Sequence, residues 1–64
     1  MNINPEQYYR PKDPELRQIA AEQTLAVWRH KGRGPAYITS GSRILYKGAD
    51  LLAWLDAHRV TTED

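Results

Sequence analysis

The middle of this 64-residue chain carries positive charge without compensating negative charge. No aspartate or glutamate lies between Glu22 and Asp50, whereas five cations do: Arg29, Lys31, Arg33, Arg43 and Lys47. Such segregation creates a local positive potential that the net charge of +1 conceals. This stretch favours the binding of a polyanion; the alternative is a solvated surface that has no partner.

Other side chains that could do chemistry lack the necessary spacing. Ser40, Ser42 and the two histidines, His30 and His58, do not form a recognisable nucleophile–base pair, and the chain has no phosphate-cradling glycine loop. The absence of cysteine excludes a disulfide framework and a thiolate metal site. We therefore predict no catalytic residues, no metal site, no cofactor and no small-molecule substrate.

The length predicts one small domain, which at this size buries only about 60% of the surface of its unfolded chain. No apolar run approaches the roughly 20 residues needed to span a bilayer. The N-terminus also lacks the apolar core of a secretory signal. We expect a soluble cytoplasmic protein without a membrane partner.

The first twelve residues contain two prolines and no sustained period, which is typical of an extended N-terminal arm. Tyr8 and Tyr9 are large enough to anchor this arm on the body of the domain. Arg10 and Lys12 are equally able to lie along a phosphate backbone. The pattern favours the simpler interpretation, a partly ordered tail with a packed tyrosine.

Asp13 and Pro14 predict a helix start, because aspartate caps free N–H groups and proline suits the first helical position. Leu16 then begins an apolar stripe at helical spacing. The next large apolar residue, Leu25, would lie about 180° around an unbroken helix from Leu16. This phase break predicts two short helices with a turn near residues 20–21, although a single bent helix is also compatible with the pattern.

The second helix is expected to run from about Glu22 to Lys31, with Gly32 as its terminating glycine. If Leu25 and Trp28 face the core, the opposite face presents hydrogen-bonding and apolar groups to solvent. The residues of this face that could contact base edges are Gln23, Thr24, Val27 and His30, and we call them the reading face. Glutamine can pair with adenine, and an exposed valine can contact a thymine methyl group.

A β-hairpin is predicted after the Gly32–Pro35 connector, with strands at residues 36–40 and 43–46. Gly41-Ser42 suits a type II′ turn, in which glycine occupies the first central position. Ile38, Ile44 and Tyr46 are expected to face the helices. Ser40, Ser42 and Arg43 would then lie at the tip, where they suit contact with a nucleic-acid backbone or equally an ordinary exposed turn.

A last helix is expected from Lys47 to Arg59. Leu51, Trp54, Leu55 and His58 share one face at helical spacing. This face should close the core against Trp28, with His58 as a half-buried packing residue. Residues 61–64 are expected to form a frayed tail.

Four sequence segments together resemble one family of proteins. They are Thr24-Leu25-x-x-Trp28-Arg29, Gly32-x-Gly34-Pro35-x-Tyr37-Ile38, Arg43-Ile44-x-Tyr46 and Asp50-Leu51-x-x-Trp54-Leu55. In this order they resemble the MerR-type winged helix-turn-helix of phage excisionases and AlpA-like regulators. The resemblance covers roughly residues 14–59. It implies a small, mostly α (α+β) domain at residues 13–60, with two short N-terminal helices, a two-stranded β-hairpin wing and a C-terminal helix.

The resemblance also implies a function and partners. Residues 22–31 would be a recognition helix in the major groove of double-stranded DNA. The wing tip, residues 40–43, would contact the flanking backbone together with the five cations. The expected role is that of an excisionase, which binds cooperatively beside neighbouring copies, bends DNA at an attachment site and directs an integrase. The gene would belong to a bacterial host or a phage.

Two other functions remain open from the sequence. The same fold could serve as a small transcriptional regulator of a phage or mobile element. Alternatively, the domain could be a protein-interaction adaptor whose basic middle binds an acidic protein.

Overall fold

The computed structural model describes residues 2–58, which form an α+β domain with three helices and a three-stranded antiparallel sheet. The elements in chain order are β1 (Tyr8–Tyr9), α1 (Pro14–Arg17), α2 (Glu22–Lys31), β2 (Ile38–Ser40), β3 (Arg43–Lys47) and α3 (Gly48–Ala57). The predicted tail at residues 61–64 lies outside the described residues. The last helix was predicted to end at Arg59, but α3 ends at Ala57, where His58 leaves the helical conformation. No helix in the described range is long and apolar enough to cross a membrane.

The sheet contains one strand more than the sequence analysis predicted. The arm contributes β1, which pairs antiparallel with β3 so that Tyr9 lies opposite Tyr46. The strand order is therefore β1-β3-β2, with β3 in the centre. The predicted two-stranded hairpin is present as β2 and β3. The strand in the arm was not predicted, because a two-residue strand has no periodicity that the sequence could reveal.

Tyr9 anchors the arm as expected, with only 3% of its surface exposed, whereas Tyr8 points to solvent. The difference follows from the alternation of side chains along a strand, which places neighbours on opposite faces of the sheet. The Tyr9 hydroxyl also accepts a hydrogen bond from the backbone N–H of Asn4 at 2.8 Å. This bond folds the start of the arm back over its own strand.

The predicted hairpin turn is confirmed. Gly41 has φ 62°, and no non-glycine residue among residues 2–58 has a positive φ, so the turn has the type II′ pattern. The turn pairs Ser40 with Arg43, and therefore Ile38 with Leu45.

This register corrects one prediction. Ile44 and Tyr46 lie on the core face of β3 as predicted, but Ile38 is 39% exposed. Ile38 shares the opposite face with Leu45, because directly paired residues point to the same side of a sheet. The two-residue turn fixes this register, and side chains alternate between faces along each strand. Ile38 and Ile44 therefore cannot lie on the same face of the sheet.

The phase break between the first two helices is confirmed, and a single bent helix is excluded. Helix α1 is only four residues long, and the chain turns through residues 18–21 before α2 begins. The backbone N–H groups of Ile19 and Ala20 both donate to the Leu16 carbonyl at 3.0 Å, which closes this turn. Leu16 and Leu25 can then both be fully buried, which one straight helix would have prevented.

The prediction that Asp13 caps the first helix by its side chain was wrong. Asp13 occupies the N-cap position and Pro14 follows it, but the carboxylate makes no hydrogen bond to the helix. The Asp13 Oδ2 atom instead accepts from the backbone N–H of Arg10 at 2.9 Å. The carboxylate therefore stabilises the turn by which the arm enters α1.

The core is small and draws on the arm, the three helices and β3, whereas β2 is exposed throughout. Its buried hydrophobic residues are Ile3, Tyr9, Leu16, Leu25, Tyr46 and Leu51. Trp28 packs against this cluster, and its ring lies 5.3 Å from that of Trp54, centroid to centroid, as the sequence predicted for α2 and α3. His58 was expected to be half-buried, but it is exposed and stacks on Trp54 at 4.2 Å.

The arm also caps the last helix. Strand β3 passes directly into α3 with Lys47 as the N-cap residue, and its side chain makes no capping hydrogen bond. The N–H of Gly48 donates to the Gln7 carbonyl at 2.8 Å, and the N–H of Ala49 donates to the Pro5 carbonyl at 3.1 Å. Backbone carbonyls of the arm thus satisfy N–H groups that side chains usually cap.

Candidate nucleic-acid interface

Helix α2 presents the whole reading face to solvent. Gln23, Thr24, Val27 and His30 are all exposed, whereas Leu25 on the opposite side is fully buried. Val27 is 44% exposed, a large fraction for a β-branched apolar side chain. The helix therefore offers amide, hydroxyl, imidazole and methyl groups on one open surface.

The end of α2 is set by the glycine that the sequence predicted. Gly32 adopts the left-handed conformation with φ 71°. Its N–H donates to the Arg29 carbonyl at 3.3 Å, and the N–H of Arg33 donates to the Trp28 carbonyl at 2.7 Å. This pair of bonds is a Schellman motif, and it turns the chain sharply after Lys31. Lys31 and Arg33 both remain exposed beside this end of the helix.

Arg29 differs from the other cations of the basic stretch. It is half-buried, and its Nη1 group donates to the Tyr46 hydroxyl at 2.8 Å. Its guanidinium carbon also lies 6.0 Å from the ring centroids of Tyr37 and Tyr46. Arg29 therefore links α2 to the sheet, and any contact with a phosphate uses only its remaining donors.

The predicted tip residues of the hairpin are exposed. Ser40, Ser42 and Arg43 all face solvent, whereas Lys47 is half-buried at the junction of β3 with α3. Ser42 and Arg43 line a cleft together with Glu22, the first residue of α2. The hairpin tip thus lies beside the N-terminal end of α2, and Lys31 and Arg33 lie beside its other end.

The structure adds two cations to the residues predicted from the sequence to contact phosphate. Arg10 and Lys12 line the same cleft as the hairpin tip. The sequence offered only their charge as an indication, because more than 20 residues separate them from Ser42. Among residues 2–58, no group of three or more His, Cys, Asp or Glu side chains is arranged to hold a metal ion.

Comparisons of the chain with protein-family models, with curated proteins and with solved structures found no match. A function for this domain must therefore be inferred from its residues and their arrangement.

Proposed function

We propose that this domain is a winged helix-turn-helix module that binds double-stranded DNA. In this proposal α2 enters the major groove and the β2–β3 hairpin is the wing. The observation that carries it is the exposed reading face of α2, which is held in place from behind by buried Leu25. Gln23 would pair with an adenine edge and Val27 would contact a thymine methyl group. Recognition helices commonly read bases with their N-terminal residues, where Gln23 lies.

The positions of the exposed cations support the same proposal. Lys31 and Arg33 lie at the C-terminal end of α2, and Arg43 lies at the hairpin tip beside its N-terminal end. Cations at both ends of a reading helix can hold the two phosphate backbones that border the major groove. Arg29 contributes mainly by fixing the helix to Tyr46.

So few phosphate contacts give modest affinity, which weakens further as salt rises. Substantial occupancy of a DNA site then requires neighbouring copies of the domain or a partner protein. This requirement supports the role of an excisionase, which binds repeated sites cooperatively, bends an attachment site and directs an integrase. Lys47, half-buried in this domain, would assist only at the margin of the interface.

The first experiment measures binding of the 64-residue chain to a fluorescent duplex of random sequence at several salt concentrations. The proposal predicts binding whose logarithm falls linearly with the logarithm of salt concentration. Binding that is absent, or insensitive to salt, would contradict it. Selection of bound duplexes from a random pool then supplies the preferred site.

Two substitutions separate base reading from phosphate contact. Val27→Ala should relax the sequence preference at one position, because it shortens the side chain that contacts the thymine methyl group. Lys31→Ala should weaken binding to all duplexes alike. It should also reduce the slope of log affinity against log salt by about one. Both side chains are exposed, so neither change should disturb the fold.

Footprinting on the source genome distinguishes the excisionase from a small transcriptional regulator. Protected sites beside an integrase attachment core support the excisionase. Protection of a promoter operator supports the regulator.

A protein-interaction adaptor is a second candidate, because the outer face of the sheet exposes apolar groups. Tyr8 and Ile38 are both among the exposed large hydrophobic residues of this domain. Reversing the charge of Lys31 and Arg33 tests this candidate without breaking the Arg29–Tyr46 bond. If the biological activity survived that reversal, the adaptor would replace the DNA-binding proposal.

A further inference from the structure

A polar cleft separates the arm from the hairpin tip. It is lined by residues 10–12 of the arm, by Glu22 at the start of α2 and by residues 42–44 of the hairpin, and its volume is about 300 Å³. We call it the arm–tip cleft. Its volume is at the small end of the range for ligand sites, and its lining is unlike the mostly apolar lining of small-molecule pockets. These properties favour a charged, hydrated group over an apolar ligand.

The cations of the cleft outnumber its anions. Arg10, Lys12 and Arg43 face a single carboxylate, that of Glu22. All three cations are exposed, and none of them forms an ion pair with an acidic residue of the described range. Like charges held together repel one another, and an anion in the cleft would relieve that repulsion. The fold therefore brings three cations from two distant segments to a cleft whose lining holds one carboxylate. A second carboxylate, that of Asp13, lies outside the lining and accepts from the Arg10 N–H.

The donor groups of the cleft suit a phosphate. An arginine guanidinium presents its N–H groups in a planar fork that matches phosphate oxygens, and lysine adds a point charge. The Ser42 hydroxyl is a further donor at the same cleft. The free oxygens of a phosphodiester only accept hydrogen bonds, so both of them can bind donor groups of this cleft.

The position of the cleft indicates where that phosphate comes from. Glu22 lines the cleft, and the next residue, Gln23, begins the reading face. A duplex that seats its major groove on α2 must pass one backbone over the N-terminal end of this helix. That backbone would cross the arm–tip cleft.

We propose that the arm–tip cleft binds a backbone phosphate of duplex DNA through Arg10, Lys12 and Arg43. This inference rests on the proposed function and extends the interface to the N-terminal arm. The arm is then a second clamp on the backbone, opposite the cations at the far end of α2. Glu22 opposes the phosphate and limits the affinity.

Replacing the cations of this cleft and replacing its carboxylate should change the affinity for DNA in opposite directions. Replacing Arg10 and Lys12 together by glutamine removes one phosphate contact, so the slope of log affinity against log salt should fall by about 0.9. Affinity at about 50 mM salt should fall about tenfold. Glu22→Gln should raise affinity severalfold, because it removes the one negative charge of the cleft.

Each control variant removes one charge elsewhere on the surface. Arg17→Gln removes an exposed cation of α1, and Glu6→Gln removes an exposed carboxylate of the arm; neither residue lines the cleft. Each should change affinity less than twofold. Thermal unfolding of every variant should match that of the original chain, which excludes loss of folding as the cause.

The test is a fluorescence-anisotropy titration of a random duplex over a salt series, with all five proteins. If the Arg10/Lys12 variant and its Arg17 control bind equally, the cleft inference is overturned while the proposed function stands. If the original chain shows no salt-dependent binding of duplex DNA, both fail. The inference is supported if the slope of log affinity against log salt falls only in the Arg10/Lys12 variant and Glu22→Gln binds the duplex more tightly.

Inorganic phosphate distinguishes a DNA phosphate from a free anion. Its titration is followed by the amide NMR signals of Ser42 and Arg43. If millimolar phosphate saturated the cleft while the Arg10/Lys12 change left duplex binding unaltered, the cleft would be a small-anion site and the inference would be wrong. Weak binding of free phosphate, together with the reduced duplex slope, supports the inference.

Discussion

Replacing Gly48 by alanine should detach the N-terminal arm from the start of α3. Gly48 is buried, and an added Cβ atom would overlap the carbonyl oxygen of Asn4 and lie 2.7 Å from its carbonyl carbon. It would also lie 3.0 Å from the Cα atom of Pro5. The obstacles are backbone atoms, so no side-chain rotation can relieve the overlap. Gly48 does not have a positive φ, and the expected cost is therefore steric.

The magnitude follows from what the arm would lose. Moving it away breaks the hydrogen bonds from Gly48 to Gln7 and from Ala49 to Pro5, each worth about 0.5–1.5 kcal/mol. Exposing Ile3, which is 8% exposed in the folded domain, costs about 1.5–3 kcal/mol more. The higher helix propensity of alanine offsets at most about 1 kcal/mol of this loss in unfolding free energy. The expected net loss of unfolding free energy is about 2–5 kcal/mol.

Urea denaturation followed by tryptophan fluorescence measures this loss, and thermal unfolding should show a midpoint at least about 8 °C lower. Hydrogen exchange adds a local readout, because the amide of Ala49 should lose protection while the β2–β3 ladder keeps it. Gly32→Ala is the matched control. Its added Cβ meets nothing within 4 Å, so its cost is only the roughly 1–2 kcal/mol of left-handed strain.

The reasoning would be refuted if Gly48→Ala unfolded within about 0.5 kcal/mol of the original chain and Ala49 remained protected. A loss no larger than that of Gly32→Ala, again with Ala49 protected, would equally show that the arm does not depend on this close contact.

Three further predictions concern the core, the sheet and the attachment of α2. Leu25→Ala should lower the unfolding free energy by about 2–5 kcal/mol because Leu25 is fully buried, whereas Val27→Ala should change it by less than about 0.5 kcal/mol. Equal urea midpoints for these two variants would contradict the orientation of α2. Ile44→Thr should cost about 1–2 kcal/mol and Ile38→Thr almost nothing, since only Ile44 packs against the core. The reverse order in a urea titration would show that the hairpin has the other register. Tyr46→Phe should cost about 1 kcal/mol by removing the hydroxyl that accepts from the α2 guanidinium. An unchanged unfolding midpoint would mean that this hydrogen bond contributes nothing.

The local structure of this domain was largely predictable from the chain. The break between α1 and α2, the left-handed Gly32 and the type II′ turn at Gly41 all follow from residues within a few positions of one another. Each depends on a short-range rule, such as a helical phase or a positive φ that glycine tolerates. The prediction for Ile38 was wrong, although the turn itself fixes which face Ile38 occupies.

The reading face was predictable for the same reason. Burial of Leu25 on one side of a regular helix leaves Gln23 and Val27 on the other side, and the structure exposes both. The burial of Arg29 was not predictable. Its hydrogen bond to Tyr46 joins residues 17 positions apart, on a helix and a strand whose relative placement no local pattern specifies.

The sequence by itself determined the bounds of α2, the break before it and the position of the hairpin turn, and which side of α2 faces outward. Only the tertiary structure decided that the arm is a strand of the sheet, that its carbonyls cap α3, and that Arg10 and Lys12 meet the hairpin tip. The physical reason is the range of the interactions. Turns and helix ends are set by the conformational limits of neighbouring residues, whereas the place of the arm depends on the burial of Ile3 and Tyr9 in a core that the distant helices and β3 complete.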